Sequence, residues 1–156
     1  MFKFSSMFRL GIAALTFATL AAWAHPGTFA FTIGNPVASQ DFHFKTAAFV
    51  FRTESCADPA KAQISASAEG IVKGARQSVA LKVMAASKPG VYAVTQSWPA
   101  EGDWVVSLRG TCGSASAGAI VPMGPKGFLR ESLEFYARPA TDAEIDASLK
   151  ALGAGK

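Results

Sequence analysis

The chain has 156 residues, 50% hydrophobic and only 17% charged, a length that one domain of about 100–150 residues accounts for. Its apolar, aromatic composition excludes intrinsic disorder. The net charge of +4 comes with no Lys/Arg cluster, and Lys3 and Arg9 belong to an N-terminal apolar stretch, so nucleic acid is not an expected partner.

That stretch reads as an export signal spanning 1–24. Lys3 and Arg9 form a positive n-region, residues 10–22 (LGIAALTFATLAA) an apolar h-region, and Ala22-Trp23-Ala24 a small-x-small cleavage pattern. The run falls short of the roughly 20 residues that cross a bilayer as a helix. Cleavage leaves a chain that begins His25-Pro26-Gly27, with no stable membrane insertion expected afterwards.

Extended segments follow one another from there. Residues 28–33 (TFAFTI) alternate, and 41–52 (DFHFKTAAFVFR) place four phenylalanines in a strand-like run. Residues 63–68 form a weaker strand, and 78–84 put Val79, Leu81 and Val83 on one face. Residues 90–98 and 103–109 flank Pro99-Ala100-Glu101-Gly102, which predicts a hairpin. Residues 113–118 (GSASAG) read as a flexible loop, and 128–136 as a strand ended by Arg138-Pro139. The tail, 139–156, carries one helix: Thr141 and Glu144 have capping-box spacing, Ile145, Leu149 and Leu152 recur on one face, and Gly153 is the expected stop.

Cys56 and Cys112 are the only cysteines and have no metal-type spacing. In an exported chain they predict one structural disulfide. Short strands separated by turns and tied by one disulfide predict an all-β, immunoglobulin-like β-sandwich over 25–138. The antibody-type tyrosine corner is missing, because position 110 is Gly. The segments Pro89-Gly90-Val91-Tyr92 and Trp98-Pro99-Ala100-Glu101-Gly102-Asp103-Trp104 resemble the YtkA-like family of exported β-sandwich modules across 77–108. That resemblance implies fold more than activity.

Enzyme chemistry is sparse. There is no GxSxG, HExxH, Walker loop or GxGxxG, and the acids form no glycosidase-like pair, so no enzyme is expected. Met84 and Met123 read as packing residues rather than Cu(I) ligands. The two histidines are more suggestive. A terminal His25 offers its α-amino and ring nitrogens together, a set suited to Cu(II). Were 41–45 a strand, Asp41 and His43 would share one face.

A His-Pro start with an Asp-x-His pair resembles the CopC-like periplasmic copper carriers, although that family places the pair late in the chain. The resemblance implies Cu(II) held by His25, Asp41 and His43. Two functions are therefore expected to compete in the periplasm or secreted space. One is a copper carrier or chaperone with an N-terminal histidine brace; the other is a metal-free accessory module that binds an envelope protein partner. A copper oxygenase on the same brace is a distant third.

Overall fold

The computed structural model describes residues 28–36 and 44–155. The signal segment and the three expected copper ligands, His25, Asp41 and His43, lie outside the described residues.

Alternating apolar positions drive the chain into two packed antiparallel sheets. One sheet contains β1 (Ala30–Gly34), β2 (Phe49–Glu54), β5 (Val83–Ala85) and β6 (Val91–Val94), in the order β1-β2-β6-β5. The other contains β3 (Gln63–Val72), β4 (Ala75–Leu81), β7 (Asp103–Cys112), β8 (Ala115–Gly124) and β10 (Glu134–Tyr136), in the order β10-β8-β7-β3-β4. A short β9 (Gly127–Phe128) also pairs with β8. Strand order β1-β2-β6-β5 against β8-β7-β3-β4 is the immunoglobulin-like arrangement, with β10 added at one edge. The fold is an all-β sandwich.

The core between the sheets is built from large residues facing small ones. Phe29, Phe31, Phe49 and Phe51 come from the first sheet and its approach, and Ala66, Ala68, Ala117 and Ala119 from the second. Each buried phenylalanine contributes about 1.5–3 kcal/mol relative to exposure. Trp104 demands a glycine on its neighbour strand. It pairs with Gly70, and a Cβ there would stand 2.4 Å from the indole.

The second sheet is covered on both faces, which explains the near-continuous apolar runs of β7 and β8. Val105 and Ile120 face outward and meet Ile145 and Leu149 of α1 (Asp142–Ala154). The outer face of the first sheet is covered in part by Phe44 and Ala47, which pack with Val50, Met84 and Ala93.

Cys56 and Cys112 form a disulfide with Cα atoms 5.8 Å apart. Cys56 lies just beyond β2 and Cys112 ends β7, so the bond ties one sheet to the other.

Several expectations are corrected. The runs 90–98 and 103–109 do not form a hairpin: β6 pairs with β2 and β5, whereas β7 pairs with β3 and β8. Pro99–Gly102 belongs to a crossover between sheets, and turn-rich composition suits either connection. The run 78–84 is split at Lys82, so β4 sits in one sheet and β5 in the other, although Val79, Leu81 and Val83 still share the core. Residues 113–118 are not a loop. Gly113, at φ 61°, helps make a tight turn between Cys112 and Ala115, and β8 begins at once. Small residues are needed here because Ala117 faces the core and the chain at 138–140 crosses closely over Gly118. The run 128–136 is broken by a 3-10 turn, Arg130–Ser132. Of the strand expected across 41–52, the described residues from Phe44 onward open with a turn in which Ala47 N donates to Phe44 O, and β2 starts at Phe49.

The helix keeps its expected start. Thr141 Oγ1 accepts from Glu144 N at 3.3 Å, while Thr141 N donates to Glu144 Oε2 at 2.8 Å. Its end differs, since the helix runs through Gly153 to Ala154 with Gly155 at the C-cap. Arg138 grips Glu144 with two hydrogen bonds of 2.7 and 2.8 Å, and Arg76 pairs with Asp146. The Arg138 guanidinium, aided by Thr141, holds the Glu144 carboxyl down at about 2. A carboxyl depressed in the folded state supports folding fully above its unfolded value near 4.5, and that support fades as pH falls through about 2. An NMR titration of Glu144 is expected to give a midpoint near 2. In Arg138→Gln the midpoint should move toward the ordinary range. Thr141→Ala should destabilise the protein by about 1 kcal/mol through loss of the cap.

Candidate functional site

A concavity of about 930 Å³ lies where the β6–β7 crossover, the β8–β9 turn and the C-terminal end of α1 converge. This is at the upper end of the size range of ordinary ligand pockets.

Its apolar surface is positioned from three directions. Trp98 stands in the crossover, buried at 6% exposure, and Gln96 Nε2 donates to its carbonyl at 3.3 Å. Trp104 opens β7, and its Nε1 donates to Glu101 O at 2.8 Å, which anchors the crossover. The chain can bend there because Gly102 takes φ 100°, where a Cβ would meet Ile71 O at 2.6 Å. Met123 and Gly124 end β8, and Leu129 N donates back to Pro122 O at 2.8 Å, which folds the next segment against the groove. Leu129 is 37% exposed at this lip. From α1, Leu152 and Gly155 complete the wall.

The charged groups that line the groove are Asp103, Glu131 and Glu134. Glu134 is oriented by Tyr136, whose hydroxyl donates to Oε2 at 2.6 Å. Burial first, then this bond to the carboxylate, pushes the Tyr136 hydroxyl up to about 12, so it remains a donor at physiological pH. No Lys, Arg, His or Cys is among the lining residues described. The groove therefore presents aromatic and aliphatic surface beside anionic oxygens, with no nucleophile–base pair of the Ser-His or Cys-His kind.

A smaller cleft of about 350 Å³ adjoins it, sharing Ala48 and Gly127. Lys45, Lys126 and Arg130 line this one, and the Arg130 guanidinium lies 5.6 Å from the Phe128 ring centroid. The same end of the sandwich thus carries two neighbouring clefts of opposite sign.

No family model, curated protein or solved structure matches this chain.

The sequence-expected site residues divide sharply. Cys56 and Cys112 meet as a bond. His25, Asp41 and His43 fall outside the described residues, and among those described no three His, Cys, Asp or Glu side chains are placed to hold a metal. Met84 and Met123 belong to different hydrophobic clusters, Met84 on the outer face of the first sheet and Met123 against the main core. Met123 lies in β8. Also among the described residues, no helix is long and apolar enough to cross a membrane.

The groove itself escaped the sequence reading. In sequence, Trp98, Pro99, Asp103 and Trp104 have the pattern of a hairpin, and Glu131 and Glu134 that of a single strand. Their convergence depends on the crossover and on the broken run at 130–132, neither of which periodicity reveals.

Proposed function

We propose that the protein is an exported, disulfide-stabilised binding module that holds an envelope protein partner in the groove between the β6–β7 crossover, the β8–β9 turn and α1. The observation that carries this reading is the exposed Leu129 beside Trp98, Met123 and three carboxylates in a single concavity. A concave apolar surface with a few polar groups is the usual form of a binding site. Export is supported by the signal-like segment 1–24 and by a disulfide, which persists in oxidising compartments such as the periplasm or the secreted space. The groove chemistry supports binding rather than catalysis.

A copper-carrier reading rests on the sequence arrangement of His25, Asp41 and His43. Two measurements separate the two. A photo-crosslinking residue at Leu129 should yield a covalent partner adduct in producing cells, whereas one at Lys61, beyond β2, should not. Titration of the purified protein with Cu(II) should show no tight site. If instead one equivalent binds with an axial paramagnetic spectrum, lost on adding a residue before His25 and weakened in His43→Ala, the carrier reading replaces this one. Copper must displace a proton from the terminal amine, so such binding should weaken as pH falls.

A further inference from the structure

We infer that α1 is a latch on the groove: it lifts from the second sheet as a unit while the sandwich stays folded, and the groove holds its partner only while the latch is closed. This rests on the binding-module reading and supplies the regulation of that site.

The first argument is where α1 stands. Ser148, Ala151, Leu152 and Gly155 line the groove, so one wall of the site belongs to the helix. Lifting α1 removes that wall and leaves the crossover and the β8–β9 turn without it. The groove is then too incomplete to enclose a ligand.

The second argument is the position of a hinge. The chain at 138–140 crosses so closely over Gly118 that a Cβ there would stand 2.4 Å from Arg138 O, and Ala140 is 5% exposed. That part stays in place. The bonds between Thr141 and Glu144, and the grip of Arg138 on Glu144, lie within 138–144 and persist when the rest lifts. Beyond Glu144 the helix is held by Ile145, Leu149 and half-buried Leu152, and by the pair of Asp146 with Arg76. Arg76 stands on β4 and also reaches Glu69 of β3 at 3.3 Å. It is not among the residues lining the groove, so it acts on the site only by positioning α1.

The third argument is the face that α1 covers. Ser107 pairs with Ile120 and follows Val105 by two residues, so its side chain joins theirs on the helix side of the sheet. It is 0% exposed, and its Oγ has no hydrogen-bond partner among the described residues. No other buried side-chain nitrogen or oxygen among those residues is left in this way. A buried, unpartnered hydroxyl favours an open state in which water reaches it. The defect therefore weakens the contact under α1 and not the core between the sheets.

Hydrogen exchange of the full purified protein, followed by mass spectrometry, tests this. Amides of 146–152 should exchange roughly tenfold or more faster than those of β3 and β7, because a local opening needs less free energy than unfolding. Arg76→Gln and Asp146→Asn should each speed α1 by up to about fivefold, the size of one exposed ion pair. The double variant should be no faster than either single one, since both remove the same contact. Ser107→Ala should do the reverse and slow α1 by about fivefold or more. In every variant the β3 and β7 amides should keep their rates relative to each other. In the complex photo-crosslinked at Leu129, α1 should exchange more slowly than in the free protein, because a partner that needs the closed latch holds it closed. Exchange of α1 in step with β3 and β7, or an α1 no slower in Ser107→Ala, overturns the latch. A crosslinked complex whose α1 exchanges as in the free protein overturns its coupling to the groove. Absence of any adduct at Leu129 overturns the module reading, and the exchange rates of the free protein still decide whether α1 lifts.

Discussion

Replacing Cys56 and Cys112 by serine should lower stability by about 4 kcal/mol and the melting temperature by roughly 10–15 °C. The bond closes a loop with a sequence separation of 56, so its removal releases a large closed segment in the unfolded chain. It also joins the end of β7 to the chain just beyond β2, on opposite sheets. The two sheets have no other covalent link than the backbone crossovers. The effect should appear as a lower urea midpoint with a larger m-value, since the reduced unfolded state exposes more surface. A single replacement should act like the double one and leave the partner cysteine as a free thiol. If the serine variant melts within a few degrees of the parent, the bond is not a major support of the sandwich.

How legible this architecture was depended on how local each signal is. The cap of α1 was readable because Thr141 and Glu144 satisfy each other across three residues, and Ile145 and Leu149 face one direction whatever the surroundings. The period-two face of Val79, Leu81 and Val83 was readable for the same reason, and survives although the strand changes sheets at Lys82. Strand partners were not readable. Pro99–Gly102 has the composition of a hairpin turn, but Trp98 and Trp104 are drawn into buried positions on either side of a crossover. The GSASAG segment misled because small residues signal flexibility in an exposed loop. In a packed strand they make room for a facing sheet of phenylalanines and for a crossing chain.

The candidate site was legible only in fragments. An acid-lined apolar groove is a property of three segments distant in sequence, held together by the fold of β7 and β8 against α1. Nothing local to Glu131 or Leu129 distinguishes them from ordinary surface residues. The expected copper ligands are the opposite case, residues whose chemistry stands out individually. His25 and His43 are the two histidines of the sequence, and their imidazoles stand out without any knowledge of the fold.

The core makes a sharper prediction at Phe31 and Gly110, which meet across the two sheets. Phe31 is 5% exposed, edge-on to Phe29 at 5.7 Å and to Phe51 at 5.6 Å. Phe31→Ala should cost about 3–5 kcal/mol, combining lost burial with a cavity that the neighbouring Phe29 and Phe51 rings cannot close. Opposite it, a Cβ at Gly110 would lie 2.6 Å from Phe31 Cζ and 2.9 Å from Ile64 Cδ1. Gly110→Ala should therefore destabilise by about 1–3 kcal/mol through overpacking. Phe31→Leu removes the ring edge responsible for the closest contact. The double variant Phe31→Leu/Gly110→Ala should be more stable than the sum of its single costs by roughly 0.5–3 kcal/mol, because the two residues share one space. Urea unfolding of the four proteins completes the cycle. Strict additivity would show that Gly110 is not held small by Phe31. The glycine at the position of the missing tyrosine corner would then need another cause, and Ile64 and Phe29 are the further contacts that could supply it.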